Sequence, residues 1–156
     1  MQPYRDIAAL AGAQVLCFLA LAQLEPRFVV IHLYQSILYL ALLVMLYYRE
    51  DRWAYMIAML GSAAWLALAY LSRILSSAVQ RLFASRSSDT NEFIVSLIAV
   101  ATALFALLMI ALCARHWRKE YAGLGKTTST VLVSSAIVAL YYGILLRWFW
   151  DMIPNA

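Results

Sequence analysis

Five apolar runs, at residues 7–24, 28–48, 53–72, 93–114 and 127–150, make up most of this chain, and charge, proline or glycine bounds each of them. A helix rises about 1.5 Å per residue, so even the shortest run reaches about 27 Å, enough to cross a hydrocarbon layer about 30 Å thick. In lipid every backbone N–H and C=O must be satisfied within the protein, which leaves the helix as the form for runs of this length. The runs therefore predict an all-α, polytopic membrane helical bundle, with residues 1–156 forming a single integral membrane domain.

Composition supports the same reading. Hydrophobic residues are 65% of the chain and charged residues only 13%, against about 25% charged in a typical soluble domain. A soluble fold of this size would lack the polar side chains to cover its surface. The net charge of +4 does not point to nucleic acid, because the basic residues gather at the ends of apolar runs, as they do beside membrane spans. Cys17 and Cys113 each sit inside an apolar run, far apart in sequence, with no CxxC motif, Cys/His cluster or disulfide framework. They read as small apolar side chains, with no metal site implied.

The segment between the third and fourth runs differs in character. Leu71, Ile74, Leu75, Val79, Leu82 and Phe83 recur at helical spacing among Arg73, Ser76, Ser77, Gln80 and Arg81. This predicts an amphipathic helix over 72–83, lying at the membrane interface or continuing the third span. Asp89 and Glu92 have the spacing of a capping box at the start of the fourth span. The first run, with Arg5 ahead of it and Ala20-Leu21-Ala22 near its end, also resembles a signal peptide. Asp6 dilutes its basic leader, and it is read as a span.

Basic residues set the expected orientation. With five spans, Arg5, Arg49, Arg52, Arg115, Arg118, Lys119 and Lys126 share one side and outnumber Arg27, Arg73, Arg81, Arg86 and Arg147 on the other. The compact cluster after the fourth span carries most weight. The N-terminus is expected in the cytoplasm and the C-terminus outside, in a membrane of the bacterial cytoplasmic (inner) type. Tyr47, Tyr48, Trp53, Tyr55 and Trp117 would then line the inner interface, and Trp148 and Trp150 the outer.

Three constellations invite a chemical reading. Gly123-Leu124-Gly125-Lys126-Thr127 ends like a phosphate-binding loop, but the required glycine five residues before Gly125 is Glu120, and spans lie on both sides. It reads as an interhelical turn. His32, Gln35, Ser36 and Tyr39 share one face of the second span, and Gln14 is polar within the first. Such a stripe is a candidate ligand site, with His32 able in principle to bind haem, a quinone or a pigment. Helix packing is the competing explanation, and His116 is expected at the opposite end. Small residues recur at helical spacing in Ala8 and Gly12, in Ala54, Ala58 and Ser62, and in Ser135, Ala139 and Gly143. Stripes of this kind allow helices to approach closely.

The spans hold no aspartate, glutamate or lysine at depth, where ion-coupled transporters and pumps place theirs. No catalytic set is legible. The expectation is a non-catalytic subunit or scaffold, packed against lipid and against partner helices (its own copies or other membrane subunits) in a larger complex, one of energy conversion being an option. A small oligomeric channel or transporter is one alternative, and a cofactor-binding protein using His32 is another.

Overall fold

The computed structural model describes residues 3–48, 51–83, 90–121 and 127–149. These form six α-helices: α1 (Pro3–Leu24), α2 (Val29–Tyr47), α3 (Asp51–Leu71), α4 (Ile74–Phe83), α5 (Thr90–Glu120) and α6 (Thr127–Phe149). A one-turn 3-10 helix, Pro26–Phe28, joins α1 to α2. Five of the six are long and apolar enough to cross a membrane, and α4 is not. The chain is an integral membrane helical bundle.

Local chemistry explains where the helices stop. Proline has no N–H and forces the residue before it out of helical geometry. Glu25, ahead of Pro26, has φ −120° and ψ 74°, and α1 ends there. Between α3 and α4 the chain breaks at Arg73, the non-glycine residue with a left-handed backbone, at φ 57°. The Arg73 N–H donates to the Tyr70 carbonyl at 3.0 Å, and the Arg73 carbonyl accepts from the Ser77 N–H at 3.0 Å to start α4. The amphipathic segment is thus a separate helix and not a continuation of the third span. A left-handed residue with a Cβ costs about 1–2 kcal/mol. Arg73→Gly is therefore expected to raise stability by about 1 kcal/mol, read as a higher thermal midpoint in detergent. No rise would mean that the Arg73 side chain holds the turn by contacts of its own.

Helix α5 outruns its apolar core. The fourth run was expected to end at Ala114, but the helix continues through Arg115, His116, Trp117, Arg118, Lys119 and Glu120. Charge ends a membrane span without ending a helix, since Arg, Lys and Glu are good helix formers in water. The Asp89 member of the expected capping box, the turn at 123–126, Trp150 and the C-terminal residues beyond it lie outside the described residues.

Helices α1, α2, α3 and α5 form a ring in which each touches two neighbours, and α6 sits outside it, mainly on α3 with a smaller contact to α2. Helix α4 packs on α5 and on the end of α3, burying Ala78 and leaving Phe83 83% exposed. At the centre, Phe18 of α1 stacks on Tyr39 of α2 with centroids 5.8 Å apart and meets Trp65 of α3 edge-on at 5.9 Å.

The bundle turns large apolar side chains outward and carries several polar ones within its largely apolar interior. Leu16, Val30, Ile37, Leu40, Leu104, Leu107, Leu132 and Leu140 are exposed, while Gln14, Ser62, Ser96, Thr102, Thr130 and Ser134 are buried. In lipid an outward leucine costs nothing, and Gln14, Ser62, Thr102 and Thr130 each meet a hydrogen-bond partner inside. Small residues fill the seams: Ala11, Ala54, Ala58, Ala103 and Ala106 are all buried.

Candidate functional site

The polar residues singled out in the sequence do not converge on one centre. Gln14 is fully buried and donates from Nε2 to the Thr102 carbonyl of α5 at 3.0 Å. Tyr39 lies 3.3 Å, hydroxyl to hydroxyl, from Ser62 of α3. Ser36 donates to the Leu33 carbonyl of its own helix at 2.7 Å. Gln35 is half-buried. Gln14 thus serves the α1–α5 seam and Tyr39 the α2–α3 seam. His32 turns toward the end of α1, its Nε2 3.1 Å from Oε2 of Glu25. Its Nδ1 is buried without a hydrogen-bond partner.

The small-residue stripes divide. Ala54, Ala58 and Ser62 are buried in the ring. Ala8 and Gly12 are half-buried, whereas Ala139 and Gly143 of α6 face outward and Ser135 lies between. The face that α6 turns to the bundle carries Thr130, Ser134, Val138, Tyr142 and Leu145, one residue away in register.

Bonds that periodicity could not reveal hold α6 in place. The Tyr142 hydroxyl donates to the Gly61 carbonyl of α3 at 3.0 Å. Tyr34 of α2 donates to the Tyr141 carbonyl at 3.0 Å, and the Tyr141 hydroxyl donates in return to the Tyr34 carbonyl. Their rings stack at 4.5 Å. At the other end of α6, the Arg52 guanidinium donates to the Thr130 hydroxyl.

Two clusters remain, one at each end of the bundle. At the end where α3 begins and α5 finishes, Tyr55, His116, Trp117 and Tyr121 form an aromatic group. Tyr55 and His116 have centroids 5.9 Å apart, and Trp117 and Tyr121 5.2 Å apart. His116 Nδ1 lies 3.7 Å from Glu120 Oε1. The two histidines therefore occupy opposite ends. At the end where α1 turns into α2, a cleft of about 300 Å³ is lined by Leu24, Glu25, Arg81, Asn91, Glu92 and Val95. It gathers the end of α1, the last turn of α4 and the first turn of α5. Sequence reading missed it because its residues lie far apart in the chain, each resembling an ordinary solvated helix end. Among the described residues, no three histidine, cysteine, aspartate or glutamate side chains come together as a metal set. The cleft gathers charged side chains from three helix ends. No known protein family, curated protein or solved structure matches this chain.

Proposed function

We propose that the protein is a non-catalytic membrane subunit or scaffold that binds partner transmembrane helices, with α6 as its main contact. The observation that carries this reading is the way α6 is docked. One face is fixed to α3 and α2 by the tyrosine bonds, and another presents Ala139 and Gly143 outward, with Ser135 at its edge. A Cβ placed on Gly143 would meet no atom within 4 Å. Small residues facing lipid contribute little packing, whereas against another helix they permit close backbone approach.

Purification in mild detergent tests the reading. A larger assembly is expected, and a lone monodisperse monomer would overturn it. Gly143→Leu is expected to weaken the assembly by about tenfold or more, roughly 1.4 kcal/mol. The fold itself should stay within about 0.5 kcal/mol of the parent, as is usual for a surface change. Cross-linking in native membranes and thermal unfolding separate the two effects.

A transport path lined by Gln14, His32, Gln35, Ser36 and the serines of α6 has less support, since Gln14 bonds across to α5, Ser36 within its own helix and His32 to Glu25. Cofactor binding at His32 would have to reckon with Glu25, which engages Nε2. A visible absorption spectrum of the purified protein, with His32→Ala beside it, tests that alternative.

A further inference from the structure

We propose that the cleft at the α1–α2 turn binds the headgroup of a zwitterionic phospholipid carrying a primary ammonium, of the phosphatidylethanolamine type. The inference rests on the membrane fold and is independent of the scaffold reading. Glu25, Arg81, Asn91 and Glu92 line one volume of about 300 Å³, with Leu24 and Val95 supplying its apolar part. This lies at the lower end of the range for ligand pockets. The cleft sits where α1 ends and α5 begins, which is headgroup depth for a chain that spans the membrane. Arg81 comes from α4, the one helix too short to cross.

The charged groups around the cleft are not locked to one another. Arg81 and Glu92 are exposed, and the Glu25 carboxylate lies 3.1 Å from His32 Nε2, with no ion pair to Arg81 among the described residues. One guanidinium and two carboxylates therefore border the same space. A guanidinium matches a phosphate in geometry and charge. A primary ammonium brings three donors to the carboxylates, while a quaternary ammonium brings none. A zwitterion of this kind places an anion on Arg81 and a cation between Glu25 and Glu92. A purely anionic headgroup would bring its charge against both carboxylates.

The test uses the full chain, delipidated in mild detergent, with lipid retention followed by native mass spectrometry and stability by thermal unfolding. Dioleoyl phosphatidylethanolamine is expected to be retained and to raise the midpoint. Dioleoyl phosphatidylcholine and dioleoyl phosphatidylglycerol should each bind about tenfold more weakly or worse. Arg81→Gln and Glu92→Gln should each reduce phosphatidylethanolamine retention by a similar factor while leaving the lipid-free midpoint unchanged. Equal retention of the three lipids overturns the proposal, as does undiminished retention in both variants. Soluble glycerophosphoethanolamine supplies the last arm: binding as tight as that of the lipid would assign the cleft to a water-borne ligand of the same chemistry and overturn the lipid assignment.

Discussion

Valine at position 61 is expected to destabilise the bundle by about 3 kcal/mol, at the upper end of what overpacking usually costs. A Cβ on Gly61 would stand 2.6 Å from Cδ2 of Leu38, well inside van der Waals contact. Leu38 is itself buried, so its methyl group has little room to turn away from a branched side chain. Shifting α3 is no easier, because the Gly61 carbonyl holds the Tyr142 hydroxyl. Gly61→Ala should show the same conflict at about 1 kcal/mol, relieved by small side-chain movement. Shortening the neighbour provides the control. Combined with Leu38→Ala, the Gly61 substitution should cost less than the sum of the two single changes, by about 1 kcal/mol or more. Unfolding in mixed detergent–dodecyl sulfate micelles measures all four proteins, and strict additivity would refute the close approach of α2 and α3 as the cause.

Tyr39 carries the second large effect. Its ring fills the space between Phe18 and α3, and its hydroxyl meets Ser62. Removing a large aromatic from a soluble core costs about 3–5 kcal/mol. Part of that is transfer out of water, which is missing here because lipid solvates apolar surface as well as the protein does. The void remains, so Tyr39→Ala is expected to cost about 2–3 kcal/mol. Tyr39→Phe keeps the ring and loses one interhelical hydrogen bond, a change of about 0.6 kcal/mol. The contrast separates packing from polar contact. If Phe were as damaging as Ala, the hydroxyl would be the essential group and the reading of Tyr39 as a packing residue would fail.

The extent to which the fold was legible follows from how lipid acts on sequence. Spans are marked by hydropathy because lipid removes the need for polar cover, and all five apolar runs became helices. Hydropathy falls silent where a helix enters water, which is why the last turns of α5, from Arg115 to Glu120, looked like a boundary. Periodicity found small residues on α6 but could not tell which face docks on its own bundle. Residues 135, 139 and 143 have the same spacing as 134, 138 and 142, and one residue is about 100° of helix rotation. Only the partner tyrosines and the Gly61 carbonyl decide between the two sets. The candidate polar stripe on α2 was visible as a pattern, but His32 turns to Glu25, Ser36 to its own helix and Tyr39 to Ser62. The cleft was illegible for a related reason. Glu25, Arg81 and Glu92 meet only once the α1–α2 turn, the break at Arg73 and the entry to α5 are in place together.

The unequal lengths of the helices also bear on which membrane suits this protein. At about 1.5 Å per residue, the 31 residues of α5 reach about 46 Å, while the 19 of α2 reach about 28 Å. The long helix can slide more or less of its charged end into a bilayer of any ordinary thickness. The short one has no such reserve: a thicker bilayer would draw Glu25 and the exposed Tyr47 and Tyr48 toward hydrocarbon. Its preferred surroundings are therefore fixed by its shortest member, in the manner of a vessel whose draught is set by its shallowest hull, and thin-bilayer lipids should support it better than thick ones.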